Sequence, residues 1–216
     1  MPARKFVFES NVVRLASEFG YRQVYEDGSD IVDPDWKPPP YETGKDTVGI
    51  PGQSVIIYRY YESGSTLLGD GKARDIETYA KGLSDLIIHI KGLVAQREGA
   101  AYDASTFRCY LVAHSMGGLV VRAFLQNPAL GKTEARKCVG KVFTYATPHN
   151  GIDLAGINVP SWLSAGEMDT FNRDRMAKYL AMEAIAERKG RVDFLPESAF
   201  PAGGLLLHGG HEPRRL

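Results

Sequence analysis

Apolar positions recur along this chain in two rhythms, one helical and one extended. The clearest helical stripe lies in Arg74 to Glu98. There Ile76, Tyr79, Ala80, Leu83, Leu86, Ile87, Ile90, Leu93 and Val94 follow in steps of three and four, which places them on one face of a helix. Asp75 and Glu77 suit its positive N-terminal end, and Gly99 suits its stop. His89 falls on or near the stripe and is expected to pack there. Val12, Val13, Ala16 and Phe19, followed by Gly20, predict a shorter helix. Residues 26–53 hold Asp33-Pro34, Pro38-Pro39-Pro40, Gly44, Gly49 and Pro51-Gly52. That density of turn formers predicts a long surface loop.

Three short runs read as strands: Ser54 to Tyr61 (SVIIYRYY), Phe107 to Ala113 (FRCYLVA) and Val139 to Ala146 (VGKVFTYA). Leu119 to Gln126 (LVVRAFLQ) predicts a helix ending near Asn127-Pro128. Asn172 to Lys189 predicts another, amphipathic through Met176, Tyr179, Leu180, Ala184 and Ile185, and closed by Gly190. Strand, long helix, strand, helix, strand is the order of an α/β fold, a mostly parallel sheet flanked by helices. The length of 216 residues suits one domain, with its core in 54–151. Residues 152–190, carrying Trp162, Leu163 and Phe171, are either a lid over a site or ordinary packing of a helical layer. Residues 200–216, rich in Gly and Pro and ending in Arg-Arg-Leu, are expected to form an irregular tail.

Composition narrows the classes of function. The chain is 44% hydrophobic and 24% charged, and 26 Lys+Arg balance 26 Asp+Glu. A zero net charge argues against a dedicated binder of nucleic acid or anionic membrane. No run approaches the ~18 apolar residues of a membrane span, so no integral membrane segment is expected. Met1 to Ser10 lacks the apolar stretch of a signal peptide. Two cysteines, Cys109 and Cys138, are too few for a disulfide framework and read as reduced core residues. These features together predict a cytoplasmic protein. The five histidines are scattered, with no His-Glu-x-x-His and no Cys–His cluster, so no metal is expected. The phosphate-binding glycine patterns are absent as well, so no nucleotide cofactor is expected.

The candidate chemistry lies between the second strand and its helix, at Ala113-His114-Ser115-Met116-Gly117-Gly118. A small residue two before and two after a serine is the pattern of a nucleophile elbow. The chain must pass from strand to helix within a few residues. That holds the serine hydroxyl outward at the C-terminal end of the strand and brings its small neighbours close. Gly118 lets the helix approach the strand. The Met116 N–H, at the helix start, is aimed where an oxyanion would form. His114 should point away from the hydroxyl. The competing reading is a glycine-rich turn whose serine merely caps a helix.

Leu111 to Arg122, LVAHSMGGLVVR, resembles the elbow of α/β-hydrolase lipases and esterases, including the GPI inositol-deacylase type. Thr144 to Gly151, TYATPHNG, resembles a turn that follows the next strand in many of them, with Thr147, Pro148, His149 and Gly151 as its motif positions. The resemblance implies a serine hydrolase of small-molecule or lipid carboxylic esters, with an acyl-enzyme on Ser115 and no cofactor. It also implies the chain order serine, acid, histidine. Of the histidines that follow, His149 is expected to shape its turn, which leaves His208 or His211 as base. Asp193, Asp174, Asp169 or Asp153 could be the acid, and Asp193 then His208 is an allowed order. The family pattern also calls for an earlier His-Gly turn, which supplies a second oxyanion donor, and for further strands after Ala146. The chain is therefore expected to be a truncated member, and the alternative is an inactive fold or binding module with an incomplete triad.

Overall fold

The computed structural model describes residues 9–23, 49–58, 75–152, 168–196, 199, 205–208 and 214–215. It is mixed α/β with parallel strands. The chain divides into two compact units where the sequence reads as one domain. The first is Met1–Gly71 with His89–Phe107, and the second is Lys72–Ile88 with Arg108–Leu216.

In the first unit, helix α1 (Glu9–Phe19) ends at Gly20, whose φ of +69° supplies the left-handed stop. Strands β1 (Arg22–Gln23) and β2 (Ser54–Val55) pair in parallel. Among the described residues of the strand expected over Ser54 to Tyr61, Ser54 and Val55 join the ladder. Residues 56–58 join no ladder and 59–61 lie outside the described residues. Of the long surface loop expected over 26–53, residues 26–48 also lie outside them; 49–53 are irregular, but Gly49 and Ile50 are buried rather than at the surface. Helix α2 (Ile76–Glu98) matches its predicted stripe and runs through both units. Ile76, Tyr79, Ala80, Leu83, Leu86, Ile87 and Val94 are buried. His89, expected to pack, is exposed on the opposite side of the helix.

The second unit is built on a three-stranded parallel sheet of order β3-β4-β6, from β3 (Cys109–His114), β4 (Val139–Tyr145) and β6 (Leu205–His208). Helix α3 (Met116–Gln126) and the short α4 (Thr133–Lys137) carry the chain from β3 to β4. One face of the sheet turns inward, with Ala113, Val142 and Thr144 buried. The alternate positions Tyr110 and Val112 stay exposed. A bulge interrupts the β3–β4 ladder: Cys109 faces Val139, but Tyr110 faces Lys141, so Gly140 is skipped. The run expected as an irregular tail therefore contributes a strand to the sheet. Its Leu205-Leu206-Leu207 is a short apolar run, which pairs in parallel with Val142 to Thr144 of β4. Strand β7 (Arg214–Arg215) pairs in parallel with β5 (Phe194–Leu195).

The helix expected over Asn172 to Lys189 is two helices, α5 (Arg173–Tyr179) and α6 (Glu183–Lys189). The break is a Schellman arrangement: Met182 N donates to Ala177 O at 2.7 Å and Ala181 N to Lys178 O at 3.0 Å. Ala181 takes the left-handed conformation there, with φ 53°. The physical reason is phase. An unbroken helix would continue the buried face of Met176, Tyr179 and Leu180 to Glu183, whereas the break buries Met182 and leaves Glu183 exposed. Met176, Ala177, Tyr179 and Leu180 are all buried, so this part of 152–190 packs as a helical layer. Residues 153–167 lie outside the described residues.

Glycine avoids the side-chain penalty that alanine carries at a left-handed position. Ala181→Gly should therefore raise the unfolding free energy by about 0.5–1 kcal/mol, after the greater unfolded-state entropy of glycine is subtracted. Urea denaturation checks this, and a destabilised variant would refute the assigned conformation.

Candidate active site

Sequence dictates an abrupt corner after β3. The strand ends at His114, helix α3 begins at Met116, and a single residue makes the turn. Ser115 has φ 52° and ψ −127°, outside the regions open to a residue with a side chain. Holding it there costs about 1–3 kcal/mol. The backbone pins both sides. Ser115 N donates to Tyr145 O on β4 at 3.0 Å, and Gly118 N donates to Ser115 O at 3.0 Å.

Ser115 occupies the N-cap position of α3 but makes no side-chain capping hydrogen bond. The capping alternative therefore does not account for it. Its residue is only half-buried. The Met116 N–H opens α3, an 11-residue helix, at the end where the aligned peptide dipoles are positive.

The small neighbours have distinct tasks. Ala113 is buried beneath the corner, and Gly117 is half-buried. Gly118 packs on Thr147, where a methyl group would lie 2.6 Å from Cγ2 and 2.8 Å from Cβ. No side chain fits between helix and turn. His114 stacks edge-on against Tyr145, with ring centroids 5.2 Å apart, and burial holds its imidazole below the ordinary histidine pKa.

The turn after β4 is anchored inward. Gly151 N donates to Pro148 O at 2.9 Å, closing a β-turn over Pro148-His149-Asn150-Gly151. Gly151 has φ +79°, and a side chain there would also meet Phe171 O and Met176 Sδ. His149 is buried, and its Nε2 shares a 3.0 Å hydrogen bond with Thr144 Oγ1. Desolvation, then the Arg122 charge, pushes its pKa down to about 3. The bond to Thr144 fixes the ring inside the turn. Among the described residues, His149 Nδ1 and Thr147 Oγ1 are buried and find no hydrogen-bond partner.

Asp193 is fully buried. Its Oδ1 accepts from Arg191 Nε at 3.0 Å and its Oδ2 from Arg191 Nη2 at 2.6 Å. His208 ends β6, with its backbone opposite Tyr145, which in turn lies opposite His114. These three residues form one register row at the C-terminal end of the sheet. Two strand spacings, about 10 Å, separate the backbones of His114 and His208. Of the other candidates, Asp174 is exposed in the first turn of α5. Asp153 and His211 lie outside the described residues, as does the side chain of Asp169.

Two residues gained no role from sequence. Arg122 is charged yet 1% exposed, and it donates to three backbone carbonyls. Its signal was visible as a lone cation inside LVVRAFLQ, since a buried arginine needs fixed acceptors. Asn150 accepts from Val192 N at 3.0 Å through Oδ1, tying the turn to the segment before β5. Nothing in the spacing indicated that. Among the described residues, no three His, Cys, Asp or Glu side chains are grouped to hold a metal ion, and no helix is long and apolar enough to cross a membrane. No family model, curated protein or solved structure matches the chain.

Two outcomes follow from this geometry. Ser115→Gly should release the corner strain and stabilise the fold by about 1 kcal/mol, while Ser115→Ala stays near the parent. Equal urea midpoints for the two variants would show that the corner stores none. His149 binds its proton less readily folded than unfolded, so its contribution is complete above about pH 6.5 and is lost as pH falls toward about 3. The slope from this one group approaches about 1.4 kcal/mol per pH unit. Unfolding titrations at a series of pH values should show that slope in the parent and a reduced one in His149→Gln.

Proposed function

We propose that this chain is a serine hydrolase of carboxylic esters, lipase- or esterase-like, with an α/β-hydrolase-like fold. The observation that carries the reading is Ser115 itself. A non-glycine residue sits at a strained corner where its hydroxyl caps nothing. Strain of this kind is concentrated where geometry serves chemistry. The position also agrees with a general rule, since ligands of open parallel sheets bind at the carboxyl ends of strands.

In this reading Ser115 Oγ attacks the ester carbonyl carbon. Its proton passes to a histidine, for which His208 is proposed, and Asp193 is proposed as the acid that orients it. Negative charge on the carbonyl oxygen is met by the Met116 N–H and the positive end of α3. The C–O bond then breaks, the alcohol leaves with the proton, and an acyl-Ser115 remains. Water, deprotonated by the same histidine, releases the carboxylic acid. Small-molecule or lipid esters are the proposed substrates. Cys109 and Cys138 stand as thiols, and burial pushes the Cys109 thiol up to about 12. Free thiols, one buried and one half-buried, agree with the cytoplasmic location proposed here.

One observation favours a second reading, an inactive hydrolase-like fold or binding module. Both Asp193 oxygens already accept from Arg191, so the proposed acid is engaged by a cation. A fluorophosphonate probe separates the two. A competent site labels Ser115 covalently, and Ser115→Ala abolishes the label. A folded chain that stays unlabelled in the parent form refutes the hydrolase reading and leaves the inactive fold.

A further inference from the structure

The Arg122 guanidinium gathers three separate stretches of chain. Nη1 donates to His149 O at 2.9 Å, in the turn after β4. Nη2 donates to Val192 O at 2.7 Å and to Phe194 O at 3.0 Å, the carbonyls on either side of Asp193. Nε donates to Gln126 Oε1 at 2.8 Å, one turn further along the same helix. Nη2 also lies 3.4 Å from Met182 Sδ, at the break between α5 and α6. Burial lowers its pKa only to about 10, with Asp193 among the groups opposing the shift, so the group stays a cation at neutral pH.

A buried guanidinium is costly unless its fixed fork of donors is filled. Here backbone carbonyls fill it, and two of the three belong to the residues flanking one carboxylate. The helix that carries Arg122 also has Ser115 as its N-cap. A rigid helix with the serine capping its start and the arginine two turns on therefore measures out the distance between the two. We infer that Arg122 is a positioning residue that fixes Asp193 relative to Ser115 through the Val192 and Phe194 carbonyls. Its catalytic readout rests on the hydrolase reading, while its positional readout does not.

The test uses the full chain and the variant Arg122→Lys, which keeps a cation but lacks the planar fork. Hydrogen exchange reads position. The Val192 amide, which donates to Asn150 Oδ1, and the β5 amides should exchange at least about tenfold faster in the variant, while β3 and β4 amides keep their protection. Fluorophosphonate labelling reads catalysis. The maximal labelling rate constant should fall by about 100-fold with the half-saturating probe concentration unchanged, as expected for a misplaced group. A purely structural role would lower the labelled fraction and leave that rate constant alone. Unchanged exchange at residues 192–195 overturns the inference, and so does an unchanged labelling rate constant. A parent chain that does not label refutes the hydrolase reading by itself, and the exchange result still decides the role of Arg122. Arg122→Met serves where the lysine variant does not fold, with the same outcomes.

Discussion

A single backbone inversion between sheet and helix governs the second unit. Ser115 must take a positive φ because strand and helix leave no other residue for the turn. Once it does, α3 leaves the corner directly against the turn after β4, and Gly118 and Thr147 come into contact. The Ser115 N–H then reaches Tyr145 O. Any side chain larger than hydrogen at Gly118 would overlap Thr147 and force helix or turn to shift. The corner is thus a shared requirement of the sheet, the helix and the next turn, and the hydroxyl occupies the point where they meet.

A second level of order depends on that corner. The turn from Thr147 to Gly151 offers few apolar side chains, so polar anchors hold it. His149 is secured at Nε2 by Thr144, its carbonyl is held by Arg122, and Asn150 reaches both Val192 and Arg173. Buried polar groups of this sort are stabilising only when satisfied. His149 Nδ1 and Thr147 Oγ1 are the exceptions beside the corner. They subtract from stability in the region where Ser115 is already strained. The surrounding apolar layer, with Leu119, Phe124, Met176, Tyr179 and Leu180 all buried, offsets these costs.

Much of this was legible in the residues. The step of three and four in α2 marked its buried face, and the small residues around Ser115 marked the corner. Two strands were plain because FRCYLVA and VGKVFTYA are apolar runs between turn formers. Other features depend on distant parts of the chain. Leu205 to His208 is only four residues long, in a setting of glycines, and becomes a strand because β4 presents an unpaired edge. The break at Ala181 leaves no glycine as a signal; the need to bury Met182 creates it. Arg122 could be seen as anomalous, but its acceptors lie 27, 70 and 72 residues away. Backbone carbonyls have no side-chain signature, so no pattern of residues could name them.

The bulge near the start of β3 carries a consequence for the opposite end. Skipping Gly140 advances β4 by one residue against β3, and every later pairing inherits that offset. With an unbroken ladder His114 would align with Thr144, and the oxygen awaiting the serine amide would belong to the wrong residue. Inward and outward positions of the two strands would also fall out of step, matching buried Val142 with exposed Val112. A glycine five residues upstream of Tyr145 therefore sets the phase of the whole ladder, and through it selects the carbonyl on which the Ser115 corner closes.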